Sequence, residues 1–196
     1  CEMARARVRG IQGTNLAAPD TLLACVKHYA AYGSVQAGRD YNVVDMSERT
    51  LREVYLPPYR AAIDAGALSV MTSFNELNGT PATANAFLLQ RVLRDEWGFR
   101  GFVVTDYTSI NEMVTHGSAV DDADAARQAL AAGVDMDMQG GAYLNHLKSL
   151  LASGKITEKQ INAAAKRVLE TKFRLGLFDN PYRHCDAQRE SRLFYA

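Results

Sequence analysis

Asp106 directly follows an apolar run that starts at Phe102, and Lys27-His28 closes another that starts at Leu22. A carboxylate so placed can act as a nucleophile, and an imidazole can accept or donate a proton near neutral pH. An ammonium can serve as a donor to hydroxyls or as a Schiff-base amine. In parallel α/β folds the loops after the strands converge, so polar groups at those ends face one site. A lone Asp there is more often a helix cap or a loop hydrogen-bonder. A Lys-His pair is rarer, because a buried ammonium needs a partner or a substrate. A further run ends in Ser73-Phe74-Asn75, and the run before Asp106 ends in Thr105.

The elements that must position these residues are legible in the hydrophobic pattern. Four short apolar, β-rich runs cover 22–28, 68–75, 102–106 and 134–138, with starts 46, 34 and 32 residues apart. That is the span of a strand with its crossover helix. Between them, 47–65 repeats Leu51, Tyr55, Leu56, Tyr59, Ala62 and Ile63 at helical spacing, with Pro57-Pro58 expected to kink or split the helix. The pattern over 85–97 stops at Gly98, that over 124–132 stops at Gly133, and Gly154 closes another helix. Thr157-x-x-Gln160 is a capping-box start for a long helix with Ile161, Ala165, Val168, Leu169 and Phe173 on one face. Strand-helix alternation of this kind predicts an α/β fold on a parallel sheet, open or closed into a barrel.

Residues 1–12 read as the tail of a helix, and 179–196 lose periodicity after a break at Asn180-Pro181. About four parallel strands with crossover helices, a leading helix and a trailing linker fit the C-terminal half of a TIM-like (β/α)8 barrel. The expected organisation is part of a catalytic barrel over 1–178, with earlier strands missing. Residues 179–196 would then start a linker to a domain outside this chain.

Composition excludes several classes. Of 196 residues, 47% are hydrophobic and 22% charged, which is ordinary globular usage rather than disorder or coiled coil. Lys+Arg and Asp+Glu both number 22, and no basic run stands out, so a nucleic-acid partner is not expected. No apolar run approaches the roughly 18 residues of a membrane span, so no membrane partner is expected either. Cys1, Cys25 and Cys185 are too few and scattered for a disulfide framework or a zinc site.

Longer motifs carry a resemblance. Lys27-His28-Tyr29, Arg39-Asp40-Tyr41-Asn42 and Ser47-Glu48-Arg49 through Tyr59 come first. Val70-Met71-Thr72-Ser73-Phe74-Asn75, Asn78-Gly79-x-Pro81 and Leu93 through Asp106 follow. Ala132 through Met138 and Leu175-Gly176-Leu177-Phe178 complete the set. In this order, over nearly the whole chain, they resemble glycoside hydrolase family 3, in its bacterial β-glucosidase branch with a barrel followed by an α/β sandwich domain.

The resemblance implies removal of terminal non-reducing β-D-glucosyl residues from β-glucosides or oligosaccharides by a retaining double displacement. Asp106 would be the nucleophile, with a second carboxyl about 5–5.5 Å away as acid/base. Lys27 and His28 would hydrogen-bond the hydroxyls of the sugar in the −1 subsite and help keep Asp106 ionised. Met71 would line the pocket, and Tyr107 would stand where many relatives carry a Trp beside the acceptor subsite. Phe74 stands where some relatives have a Tyr that contacts the nucleophile, so no hydrogen-bonding role passes to it. The loop 29–45 holds no His, which departs from the N-acetylglucosaminidase branch. The acid/base is therefore expected outside this chain, on other parts of the same polypeptide. No metal and no cofactor is implied, and the parent protein would be periplasmic or secreted.

Other residues have blander readings. Arg39 and Asp40 read as a pair tidying a loop, and Glu48, Glu53 and Glu96 as solvent-facing or capping groups on crossover helices. Asp135 and Asp137 fall on one side of the fourth run, where one could hydrogen-bond inside a barrel. Asn78-Gly79-Thr80 matches a glycosylation sequon but is first a turn signal. Competing functions are a β-xylosidase or other exo-β-glycosidase of the same mechanism, a Schiff-base aldolase built on Lys27, and a non-catalytic sugar-binding fragment.

Overall fold

In the computed structural model, which describes residues 1–189 and 192, the first three apolar runs become parallel strands of one sheet. β1 (Cys25–Tyr29), β2 (Ser69–Thr72) and β5 (Phe102–Val104) lie side by side in that order. Val26 pairs with Val70, and Val70 with Val103. These three valines face the helices, where they meet Leu88, Leu89, Val92 and Leu93 in the main core. By the twofold alternation of a strand, Lys27, Met71 and Val104 belong to the opposite face, and Met71 and Val104 stand outside that core. Among the described residues no strand pairs with the other edge of β1.

The fourth run, 134–138, is not a full strand. It makes a single parallel bridge, from Met136 to Val104. The reason lies in Asp135, whose carboxylate accepts the Val103 N–H at 2.8 Å and so takes the place of a backbone acceptor. Backbone pairing with β5 itself comes from Asp135 and Met136 N–H donating to Val103, and beyond the strand Thr105 and Thr108 N–H donate to Met136 and Met138. Three strands and a bridge thus stand where four strands were expected.

The helices follow the pattern with two changes. Ser47 caps α2 (Glu48–Thr50), a π-helical turn covers Leu51–Tyr55, and α3 (Leu56–Asp64) continues from it. Pro57 and Pro58 therefore sit in the first turn of α3, where a missing N–H costs little, and the wide π turn makes room for their rings. The expected break is replaced by continuous helical winding. The second change is a short helix after Asp106, α4 (Ser109–Thr115), which the pattern did not announce.

The remaining helices fit their signals. Phe87–Glu96 is wound with π geometry and buries Leu88, Leu89, Val92 and Leu93. α5 (Asp122–Ala132) ends on Gly133 in the left-handed region, and α6 (Ala142–Ala152) is followed by Gly154 at φ 70°. α7 (Glu158–Arg174) starts from the complete Thr157–Gln160 capping box, and α1 (Glu2–Gln12) covers the N-terminal stretch. Asn78-Gly79 is the turn of a hairpin between β3 (Glu76–Leu77) and β4 (Thr80–Pro81), with φ of 51° and 81°. The Asn78 amide also clasps the backbone of Met46 with two hydrogen bonds of 2.9 Å.

Gly101 precedes β5 with no room for a side chain, since a Cβ would fall 2.0 Å from the Leu68 carbonyl oxygen. The three cysteines are free thiols. Among the described residues no helix is long and apolar enough to cross a membrane. The expected linker over 179–196 falls partly outside the described residues.

Candidate active site

Asp106 lies just past the C-terminal end of β5, two residues beyond Val104 on the face turned away from the helices. Its side chain is 14% exposed. Oδ1 accepts the Tyr107 N–H at 2.7 Å, and Oδ2 stands 3.4 Å from Nε2 of His28. One carboxylate oxygen is thus held by its own loop and the other faces the imidazole from β1. Burial pushes the His28 imidazole below its ordinary value, against the upward pull of the Asp106 carboxylate, and the Lys27 charge adds to the downward shift. The ring is therefore uncharged at neutral pH and keeps one N–H to donate.

Hydrogen bonds from α3 and from the residues after β2 hold the backbone around His28. The Tyr59 hydroxyl donates to the His28 carbonyl at 2.5 Å. Ser73 N–H donates to the Tyr29 carbonyl at 3.0 Å, and the Asn75 amide donates to the Ala30 carbonyl at 3.4 Å. Ser73 and Asn75, the strand-end polar groups of β2, therefore tether the backbone that follows His28.

On the other side Thr105 is fully buried and exchanges bonds with the fourth run. Its N–H donates to the Met136 carbonyl at 3.0 Å, and its Oγ1 accepts the Met138 N–H at 2.8 Å. Thr108 N–H then donates to the Met138 carbonyl at 3.0 Å. The loop carrying Asp106 is thereby held on both flanks by residues 136–138. A chain of three buried hydroxyls, Thr72 to Thr83 at 3.0 Å and Thr83 to Ser109 at 2.9 Å, joins β2 to the start of α4.

The sequence-predicted site residues fall in different places. Asp106, His28 and Tyr107 come together, and Tyr107 is 55% exposed beside the carboxylate. Lys27 is exposed, on the same sheet face as Met71, and makes no ion pair with Asp106. Met71 is buried at the centre of β2, paired with Val104. A groove of about 600 Å³ runs along the free edge of β1, lined by Lys27, Val26, Ile11 and Tyr59 among others. It contains neither Asp106 nor His28.

The residues with blander readings divide as follows. Glu96 holds Arg52 with two bonds of 2.7 and 2.9 Å, Glu48 also binds Arg52, and Glu53 binds Arg49, all on helix surfaces. Arg39 and Asp40 are exposed and form no ion pair with each other, so that reading is corrected. Asp135 does not face a barrel interior. Its buried carboxylate is bonded by Arg94 and Arg167, each at 2.7 Å, and by Val103 N–H. Asp137 accepts the Tyr143 N–H at 3.2 Å.

Sequence reasoning missed Thr105 as a clamp and the packing of Tyr41 on Phe74. Tyr41 entered only as one letter of a motif. No local signal marks a loop tyrosine that packs on a ring 33 positions away, Phe74, with centroids 4.5 Å apart.

The model of the glycosyl hydrolase family 3 N terminal domain matches residues 1–171. A periplasmic beta-glucosidase of Salmonella typhimurium is 46% identical over 199 residues, covering 97% of this chain and 26% of that protein. A beta-xylosidase of Formosa agariphila is 39% identical over 197 residues, covering 95% of this chain and 27% of that protein. The crystal structure of a beta-glucosidase from Listeria innocua in complex with isofagomine superposes with a TM-score of 0.91 at 43% identity, over 95% of this chain and 26% of that one. The chain spans about a quarter of the length of these relatives.

Proposed function

The chain belongs to glycosyl hydrolase family 3, and on that premise we propose that it carries the nucleophile and part of the sugar pocket of a retaining exo-β-glucosidase. The observation that carries this reading is the Asp106 carboxylate at the end of β5, facing His28 at 3.4 Å and held by the Tyr107 N–H. In that reading Asp106 attacks the anomeric carbon, the glycosidic bond breaks as the leaving-group oxygen takes a proton, and water later releases the glycosyl ester. The proton donor is assigned to a part of the polypeptide outside this chain.

The Tyr107 N–H stabilises Asp106 as the anion it must be before attack and as the leaving group it becomes afterwards. The uncharged His28 ring is suited to donate to a sugar hydroxyl. Lys27, on the face shared with Met71, extends into space that a hydroxyl-rich ligand could fill. Met71 lines that face and Tyr107 is offered as the acceptor-side platform. The free edge of β1 and the groove beside it support further strands there, as in the C-terminal half of a (β/α)8 barrel. The first-named relative is periplasmic by name, and a periplasmic or secreted location is proposed by analogy.

The test is covalent trapping of the complete polypeptide that carries this chain, using a 2-fluoro-β-glucoside with a dinitrophenolate leaving group. That leaving group needs little acid assistance, so the test isolates the nucleophile from the proton donor. The expected result is a one-sugar adduct on the peptide containing Asp106, absent in Asp106→Asn. An adduct on another carboxylate, or none from a folded protein with either sugar, would overturn the assignment. The beta-xylosidase relative at 39% identity favours the xylo analogue as second probe, and faster labelling by it would make the enzyme a β-xylosidase.

A further inference from the structure

The turn after the fourth run gathers two oxygens that share no proton. Oδ1 of Asn111, on α4, and Oδ1 of Asp137, between Met136 and Met138, are both buried and without a hydrogen-bond partner among the described residues. They crowd one point beside Gly140, where a Cβ would fall 2.1 Å from the asparagine oxygen and 3.1 Å from the carboxylate oxygen. Only glycine leaves that point free, so both side chains come in over its backbone.

An acceptor that gives up water and gains no donor is costly, and a charged one more so. Two such acceptors at one place require a donor between them, and the Asn111 amide carries one. Its NH2 belongs to the same planar group as the oxygen. Half a turn about the last side-chain bond exchanges the two, setting an N–H against Asp137 and the oxygen on the side that the NH2 held. The other Asp137 oxygen is already engaged, since Oδ2 accepts the Tyr143 N–H at 3.2 Å in the first turn of α6. One carboxylate then serves α6 with one oxygen and α4 with the other.

The place of this pair gives it a role. α4 begins directly after the Asp106 loop, with Ser109 N–H donating to the Asp106 carbonyl at 3.1 Å. Met136 and Met138, on either side of Asp137, hold the flanks of that loop through Thr105 and Thr108. Resting on the glycosidase reading above, we propose that Asn111 is a positioning residue, whose amide latches α4 to Asp137 and so fixes the Asp106 loop from the side of the helix that follows it.

Asn111→Asp tests this, because it replaces the donor with a second carboxylate of the same shape. Two ionised carboxylates repel, whereas a pair that retains one proton regains the hydrogen bond. In the complete polypeptide, kcat and the thermal unfolding midpoint are compared with wild type from about pH 7.5 down to about pH 5. The variant's kcat is expected about fivefold below wild type at the upper end, the worth of one hydrogen bond, and within about twofold at the lower end. The gap in unfolding midpoint should close in parallel. Titratable groups on the same elements, among them Asp106, Glu112, His116, Tyr143 and His146, are common to both proteins and cancel in the ratio. Asn111→Leu, which has no donor, is expected to show the same loss at every pH.

A kcat ratio in Asn111→Asp that does not change with pH, or full kcat in Asn111→Leu, would overturn the positioning role. A cation bridging the two oxygens predicts the opposite sign. Asn111→Asp would then hold it more tightly, its midpoint rising with added calcium chloride, and that result would overturn the latch. A folded wild-type protein inert toward both aryl β-glucosides and aryl β-xylosides would overturn the glycosidase reading and the positioning role with it, while the unfolding midpoints would still decide the latch.

Discussion

Nε2 of His28 and Oδ2 of Asp106 stand 3.4 Å apart across two strands, β1 and β5, that are not themselves neighbours in the sheet. β2 lies between them, so the pair exists only because residues at the ends of β1 and β5 reach over it. The imidazole is drawn two ways there. Burial favours the neutral ring and the carboxylate favours the cation, with burial the larger effect.

The titration of His28 should therefore have its midpoint below the ordinary histidine value of about 6.5. Asp106→Asn removes the upward pull, so the midpoint should fall further. The folding stability tied to this group is fully present above the unfolded value and declines as pH falls through the folded one, because the unfolded chain binds the proton more readily. Histidine NMR on the protein and on Asp106→Asn measures both midpoints. A rise in the variant would contradict the opposition of burial and charge.

Lys27 is exposed and makes no ion pair among the described residues, so Lys27→Met should leave stability within about 0.5 kcal/mol. If its ammonium binds sugar hydroxyls in the transition state, kcat should fall together with kcat/KM. Thermal unfolding and steady-state kinetics on the same variant separate the two effects. A loss of stability with unchanged kinetics would make Lys27 structural.

Thr105→Val removes the acceptor of the Met138 N–H and leaves a part-buried donor without this partner, at a cost of about 1 kcal/mol. Because this bond flanks Asp106, kcat should fall further than the loss of folded protein explains. Thr105→Ser keeps the hydroxyl and should recover most of the kcat. Equal kcat in the valine and serine variants, each corrected for folded fraction, would remove the clamp from the catalytic argument.

Gly101→Ala would place a methyl group 2.0 Å from the Leu68 carbonyl oxygen and 2.7 Å from the Phe99 ring. The backbone must separate to admit it, spoiling the start of the β2–β5 pairing at Ser69 and Phe102. Overpacking of this kind costs about 1–3 kcal/mol, and backbone contact puts this site at or above the upper end. Denaturant unfolding would measure it, and a loss under 1 kcal/mol would show that the strands adjust freely.

Much of this was legible from residues whose effects are local. The apolar runs located β1, β2 and β5, Gly133 and Gly154 marked helix ends, Thr157 and Gln160 gave the capping box, and Asn78-Gly79 gave its turn. The features that were not legible depend on distant partners. Asp135 reads as a strand residue until Arg94 and Arg167 converge on it from two helical segments. Its carboxylate then displaces the ladder that an apolar pattern predicts. Asp106 and His28 could be nominated as strand-end residues, but their contact depends on the width and order of the sheet. Tyr41 depends on a loop whose path is pinned by Val44 pairing with the β3–β4 hairpin and by Asn78 clasping Met46.

The π turn ahead of Pro57-Pro58 acts as a phase shifter. Leu51 and Leu56 are five residues apart, which in an α-helix would turn them about 140° from each other, yet both are 2% exposed on the same core. The wide turn absorbs one residue and brings the two faces back into phase. The helix therefore carries an insertion relative to an α-helix of the same reach. A one-residue deletion inside Leu51–Tyr55 would regularise the winding and press the proline rings onto the turn before them.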